Sequence, residues 1–194
     1  MSFWQELEQQ LTARLDRPVQ LGQPNAAGGG SINQAWRVQS DQGNLFVKVN
    51  SAAGLDMFAA EAEGLQELSR AEGLRVPVPQ LWGVADGQAF LVMEDVEPGG
   101  SGSSGDLGEG LAAMHRITTD RYGWHRDNTI GSTPQINTVA DNWLDFWRHR
   151  RLDYQLALAV NRGAGSQLGK KGQRLMDDLE LLFSGYRPQA SLLH

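Results

Sequence analysis

The stretch Ala26-Ala27-Gly28-Gly29-Gly30-Ser31-Ile32-Asn33-Gln34-Ala35-Trp36-Arg37-Val38-Gln39-Ser40-Asp41-Gln42-Gly43-Asn44-Leu45-Phe46-Val47-Lys48-Val49 decides the fold. It opens on a glycine-rich turn and continues as a strand, Ala35–Val38. Asp41-Gln42-Gly43-Asn44 is a hairpin turn, and Leu45–Val49 is the returning strand. Alternation puts Phe46 and Lys48 on one face of that strand and Leu45, Val47 and Val49 on the other. Upstream, Phe3, Trp4, Leu7, Leu11 and Leu15 recur at helical spacing, with Ser2 as N-cap and Pro18 beyond the end. Downstream, Met57, Phe58, Leu65 and Leu68 predict a second helix. Val76-Pro77-Val78-Pro79 is extended, because each proline fixes its own φ and disfavours helix before it. Strands are expected at Leu81–Ala85 and Gln88–Met93, joined by Asp86-Gly87.

At Glu94 the character changes. Glu97-Pro98-Gly99-Gly100-Ser101-Gly102-Ser103-Ser104-Gly105 is a flexible, low-complexity connector. Everything after it reads as helix. Asp106 is the expected cap of a helix through Leu107, Leu111 and Met114. A second helix carries Trp143, Phe146, Trp147, Leu152 and Leu156, and a third Leu175, Leu179, Leu182 and Phe183. The chain has 194 residues, with 40% hydrophobic and 21% charged, enough for a sizeable core. Its net charge of −6 disfavours a phosphate backbone as partner, so nucleic acid is not expected. There is no cysteine, which excludes disulfides, thiolate nucleophiles and thiol switches. Met1–Leu15 carries Glu6 and Glu8 and lacks the basic start and apolar block of a signal peptide. No apolar run approaches the roughly 20 residues of a membrane span, so no membrane partner is expected and the expected location is the cytoplasm.

Three features point to chemistry. The glycines expose backbone N–H groups and clear side chains from the path of a ligand, as a loop over phosphates requires. No Gly-Lys-Ser/Thr closes the loop, and a strand follows rather than a helix, so it is neither a Walker loop nor a dinucleotide fingerprint. Lys48, between two valines, is costly to bury without an anion. A glycine loop, a strand, a tight turn and a lysine-bearing strand together make an ATP clamp, although a plain hairpin and an edge-strand lysine fit the same residues. Glu61 and Glu63, on the next helix, are the carboxylates that could orient the lysine. Leu91-Val92-Met93-Glu94-Asp95-Val96 reads as a strand running into a hinge. In the second half, His125 and Asp127 lack a convincing metal spacing, and no metal-binding residue is assigned. Arg148, Arg150 and Arg151, around His149, form either an anion site or a solvated helix face.

These residues are similar to those of the fructosamine kinase/ketosamine-3-kinase family, relatives of aminoglycoside and choline phosphotransferases. The resemblance rests on Gly28-Gly29-Gly30-Ser31-Ile32-Asn33, Phe46-Val47-Lys48, Met57–Glu63, Val76–Pro79 and Leu91–Glu94. Its most specific piece is Gly123-Trp124-His125-Arg126-Asp127-Asn128-Thr129-Ile130-Gly131-Ser132-Thr133-Pro134-Gln135-Ile136-Asn137. The ending Pro188–His194 resembles the family too. The resemblance implies an α+β, protein-kinase-like fold: an antiparallel N-lobe with a helix, then a helical C-lobe that is incomplete here. The implied division is an ATP-binding lobe over 1–96, a connector over 97–105 and a partial C-lobe over 106–194.

The implied reaction is ATP-dependent phosphorylation of the 3-hydroxyl of a ketosamine, after which the adduct falls apart, which links the family to deglycation repair. Carried over by position, Gly28, Gly29, Gly30 and Ser31 cover the nucleotide. Lys48 contacts its α- and β-phosphates, Glu61 pairs with Lys48, Glu94, Asp95 and Val96 form the hinge contact with the adenine, and Met93 joins them as a nucleotide-binding residue. His194 stands where the family's catalytic loop begins. The Asp that orients the acceptor hydroxyl, and the Asn and Asp that hold magnesium with ATP, are not in this sequence, so these 194 residues are expected to be inactive alone. An aminoglycoside- or choline-type phosphotransferase and a non-catalytic nucleotide-binding module stand as alternatives.

Overall fold

The computed structural model describes residues 1–28, 32–97, 99 and 102–193. They divide into two compact units, one built on Met1–Met114 and the other on His115–Leu192.

The first unit is a five-stranded antiparallel sheet with a helix on each face. Helix α1 (Phe3–Leu15) precedes β1 (Asn25–Ala26), β2 (Gln34–Ser40) and β3 (Gly43–Ser51). A 3-10 turn at Ala52–Gly54 leads into α2 (Leu55–Leu68), followed by β4 (Pro79–Ala85), β5 (Gln88–Glu94) and α3 (Ser104–His115). The strand order is β1-β2-β3-β5-β4. The long central strands obey the period of two read from the sequence. Leu45, Val47 and Val49 of β3 join Val38, Phe90 and Val92 against Phe3, Leu7 and Leu11 of α1. On the opposite face, Leu91 and Met93 of β5 pack with Phe58 and Ala62 of α2, with Phe46 and Trp82 alongside. Both Leu7 and Leu11 are fully buried, each contributing roughly 1.5–3 kcal/mol, which fixes α1 on its face. Phe46, Lys48 and α2 share this second face, the inner face of the sheet.

Local signals explain the boundaries. Ser2 caps α1 through a reciprocal box: its Oγ accepts from Gln5 N–H at 3.4 Å, and Gln5 Oε1 accepts from Ser2 N–H at 3.0 Å. The helix stops where Asp16 turns left-handed (φ 51), ahead of Pro18. Asp86 and Gly87 both take positive φ, 47 and 71, which is the type I′ geometry that an Asp-Gly hairpin favours. The expectation that Asp106 caps α3 needs correction. Ser103 is the cap: its Oγ accepts from Asp106 N–H at 3.1 Å, and Asp106 Oδ2 accepts from Ser103 N–H at 2.7 Å. Asp106 is thus the N3 partner of a capping box, in the first turn of the helix.

The second unit is not all helical, which corrects the reading of everything after the connector as helix. A two-stranded pair joins β6 (Thr118–Thr119) to β9 (Ala190–Ser191), and a tight hairpin joins β7 (Asn128–Ile130) to β8 (Thr133–Gln135). Strands of two or three residues carry no measurable period, so the sequence pattern gave no sign of β6, β7 and β8. The helices are α4 (Trp143–Trp147), α5 (Asp153–Asn161) and α6 (Ser166–Leu182), with a π-helical segment at Arg148–Leu152 between α4 and α5. Asn142 caps α4, accepting from Leu144 N–H at 2.7 Å. Tyr122, Trp143, Phe146 and Trp147 form its aromatic centre, with Trp143 stacked on Trp147 at 5.4 Å.

Candidate active site

The site builds from β3. Alternation turns Lys48 to the inner face, where α2 presents Glu61. Lys48 Nζ donates to Glu61 Oε1 at 2.5 Å. The two side chains are 28% and 29% exposed, so the pair is neither sealed in the core nor free in solvent. Such a partly open pair leaves the ammonium able to meet a further anion, because an ammonium has three donors and Glu61 is its one hydrogen-bond partner among the described residues. Of the two helix carboxylates weighed from sequence, Glu61 is the one that meets the lysine.

The loop between β1 and β2 is described at both ends. Ala27 N–H donates to Ala35 carbonyl at 2.8 Å, closing the β1–β2 ladder. Gly28 is exposed, and a Cβ there would meet nothing within 4 Å among the described residues, so no packing against them demands glycine. Open space above Gly28 suits close approach of a ligand to the backbone. On the far side, Asn33 Oδ1 accepts from Asn50 Nδ2 at 2.7 Å, which ties the loop to the end of β3. Gly29, Gly30 and Ser31, also expected in this loop, lie outside the described residues, as does His194.

Strand β5 runs into the segment expected as the hinge. Met93 is buried opposite Phe46 in the register of β3 and β5, on the same face as Lys48. Glu94 N–H donates to Val78 carbonyl at 3.0 Å and Asp95 N–H to Asn44 carbonyl at 3.1 Å. Their carboxylates are held as well. Arg75 pairs with Glu94, and Arg37 Nε lies 3.2 Å from Asp95 Oδ1. Among Glu94, Asp95 and Val96, the Val96 N–H alone has no partner among the described residues. A cavity of about 570 Å³ opens beside this segment, lined by Asn44, Arg75, Gln80, Glu94, Asp95 and Glu97. Neither Lys48 nor Glu61 lines it. Arg37 and Arg75 were not singled out from the sequence. Alternation in Trp36-Arg37-Val38 already places Arg37 on the face of Lys48, but its partner is 58 residues away, and no short pattern reveals that distance.

The string Gly123–Asn137 has a different role. Asn137 is the buried polar residue of the second unit, 4% exposed. Its N–H donates to Asp127 Oδ1 at 2.7 Å, its Nδ2 donates to Asn128 Oδ1 at 2.8 Å and Arg126 carbonyl at 3.2 Å, and its Oδ1 accepts from Arg151 Nη2 at 2.7 Å. Arg151 also donates to Ile136 carbonyl at 2.5 Å and lies over the Phe146 ring at 4.6 Å. Burial lowers its guanidinium below the ordinary arginine value, and the charge of Asp127 opposes that shift. Gly123 has φ +113, and a Cβ there would stand 2.5 Å from the Asn137 carbonyl oxygen. Gly123, Asp127 and Asn137 are therefore residues of a hydrogen-bonded knot. Of the arginines around His149, Arg151 is committed to this knot and Arg148 donates to the Met176 carbonyl at 3.2 Å. Neither faces solvent as a simple charged helix surface would.

No group of three or more His, Asp or Glu side chains converges to hold a metal among the described residues. The described residues do not make a magnesium site by themselves.

The antiparallel five-stranded sheet, with a lysine on β3 paired to a carboxylate on the next helix and a strand leading into a connector, defines a protein-kinase-like phosphotransferase fold. The solved structures agree. A Haemophilus somnus protein provisionally named fructosamine-3-kinase superposes with a TM-score of 0.84 at 25% identity, over 97% of this chain and 64% of that one. The aminoglycoside phosphotransferase APH(4)-Ia shares the fold alone, with a TM-score of 0.56 at 13% identity, over 91% of this chain and 59% of that one. The family model "Fructosamine kinase" matches residues 3–194, and the chain belongs to that family. Among its relatives, the chloroplastic protein-ribulosamine 3-kinase of Arabidopsis thaliana is 39% identical over 182 residues, 92% of this chain and 56% of that protein. The one from Oryza sativa subsp. indica is 42% identical over 174 residues, 88% of this chain and 51% of that protein. The chain thus spans about half the length of the curated relatives it matches.

Proposed function

We propose that this chain binds ATP on the inner face of its sheet, as the nucleotide-binding part of a kinase that phosphorylates the 3-hydroxyl of ketosamines. The observation that carries the reading is the 2.5 Å ion pair of Lys48 and Glu61 on that face. In this reading Lys48 Nζ holds the α- and β-phosphates, and Glu61 keeps the ammonium aimed at them. The backbone at Gly28, Gly29, Gly30 and Ser31 covers the phosphates. Phe46 and Met93, on the same face as Lys48, give the base an apolar roof. Glu94, Asp95 and Val96 border the base, and the Val96 N–H is the donor for its edge.

ATP supplies the phosphoryl group, which passes to the acceptor hydroxyl oxygen as ADP leaves. In a kinase-like fold positioning and electrostatics do most of this work, and the residues described here serve the nucleotide side of it. His194 is proposed as the first residue of the catalytic loop. We propose the organisation as an ATP lobe over 1–96, a connector over 97–105 and a C-lobe over 106–194. The ketosamine is the proposed acceptor because the relatives are named for ribulosamine and ketoamine kinases. Magnesium would accompany ATP, and deglycation repair is the proposed role, with the cytoplasm as the place where ATP and glycated amines meet. No helix among the described residues is long and apolar enough to cross a membrane.

The test has two arms. Calorimetric titration of ATP should show saturable binding by the chain, and absence of binding would overturn the nucleotide role. Incubating the relatives' full-length counterpart of this chain with ATP and a fructosamine should add one phosphate to the sugar by mass spectrometry. Phosphate appearing on an aminoglycoside or choline, but not on the fructosamine, would reassign the acceptor.

A further inference from the structure

We propose that Arg37 and Asp95 form a positioning pair that sets the base-reading backbone at Val96. The inference rests on the nucleotide reading above and goes beyond it. Asp95 is the middle residue of the proposed hinge, and its carboxylate is only 6% exposed. A carboxylate held that far from water needs a cation, and Arg37 supplies it at 3.2 Å. Arg37 reaches it from β2, the strand that leaves the glycine-rich loop. In the register it stands opposite Phe46 of β3, so its stem runs along the proposed roof of the base site. Its own side chain is 49% exposed, so the pair joins the rim of the site to a buried anchor.

The surrounding bonds narrow what the pair can move. Glu94 N–H is fixed on Val78 carbonyl, Asp95 N–H on Asn44 carbonyl, and Arg75 holds the Glu94 carboxylate. The chain is therefore pinned up to Asp95, and Val96 follows directly. Removing Arg37 leaves an uncompensated buried carboxylate, which is relieved by turning Asp95 towards water. That rotation carries the Val96 N–H with it. The phosphate contacts at Lys48 sit on a different strand and are held by Glu61. Loss of the pair should therefore disturb recognition of the base while sparing recognition of the phosphates.

The test is equilibrium binding of two probes, ATP and inorganic tripolyphosphate, to the wild-type chain and to Arg37→Ala, Arg37→Lys and Arg37→Ala/Asp95→Asn. The Arg37→Ala protein should bind ATP about tenfold more weakly with tripolyphosphate affinity unchanged. Arg37→Lys should keep most of the ATP affinity, because a lysine can still neutralise Asp95. The double variant should bind ATP more tightly than Arg37→Ala, since no orphan charge remains to pull the segment away. Lys48→Ala, as control, should weaken both probes. The proposal is overturned if Arg37→Ala binds ATP like the wild type, if it loses both probes alike, or if the double variant is no better than the single one. A wild-type chain that binds neither probe overturns the nucleotide reading itself, and the positioning role with it.

Discussion

Two polar clusters in this chain are built from charged and amide side chains and differ in how far they are closed. One is Lys48 with Glu61 on the inner face of the first unit, and the other is Asn137 with Asp127, Asn128 and Arg151 in the second. The Asn137 cluster is closed. Its amide and backbone N–H groups are engaged inside the protein, and Arg151 completes it. The Lys48 pair is half-open, with 28% and 29% of the two side chains exposed. A saturated cluster defines one conformation and has nothing left to offer a ligand. A half-open pair gives up part of its stability to keep a charge available. The difference teaches that the more distinctive stretch of sequence is the more structural one. Gly123–Asn137 stands out because several unusual residues must meet at once, whereas Lys48 needs only a face and a partner.

The comparison can be broken by substitution. The largest effect should come from Asn137→Ala, which takes the side-chain amide away from the Arg126 carbonyl, the Asn128 side chain and Arg151. A loss of about 3 kcal/mol is expected in urea unfolding followed by tryptophan fluorescence. A loss under about 0.5 kcal/mol would mean that the cluster is ornamental. Gly123→Ala comes next. The φ of +113 and the 2.5 Å approach to the Asn137 carbonyl together should cost about 2 kcal/mol by the same measurement. Lys48→Met should change stability by less than about 1 kcal/mol, because an open ion pair contributes little. A large loss there would move Lys48 into the structural class and erase the contrast.

The smallest effect concerns the α3 cap. Bonds from the Ser103 backbone and side chain hold the Asp106 carboxyl below its ordinary value. A depressed folded-state value means that the stabilisation is present above the unfolded pKa and lost as pH falls through the folded one. Asp106→Asn should therefore be less stable than the wild type at neutral pH and equal to it once the wild-type carboxyl is protonated. A gap that persists in acid would show that charge is not the source.

Much of the first unit was legible because its elements are long enough to carry a period. β3 spans nine residues, and its alternation places Lys48 and sorts Leu45, Val47 and Val49 to the other face. Helix α2 is 14 residues long, so the helical spacing through Phe58 and Leu65 brings Glu61 to the same side. What was not legible depends on contacts between distant segments. Arg37 and Asp95, or Arg75 and Glu94, meet only once the sheet has closed. The second unit hides its strands because Thr118–Thr119 and Asn128–Ile130 are too short to show a pattern. Arg151 reads as one of several helix-surface charges, yet the π-helical segment precedes α5 and carries it into the knot with Asn137. Its role is visible only in three dimensions.

The central claim is that Lys48, aimed by Glu61, is a phosphate-holding group. Its most direct test is the ATP affinity of the wild-type chain and of Lys48→Ala, measured side by side by calorimetry. The account predicts saturable binding by the wild type and an affinity at least about tenfold weaker in the variant. Equal affinity in the two proteins would contradict it.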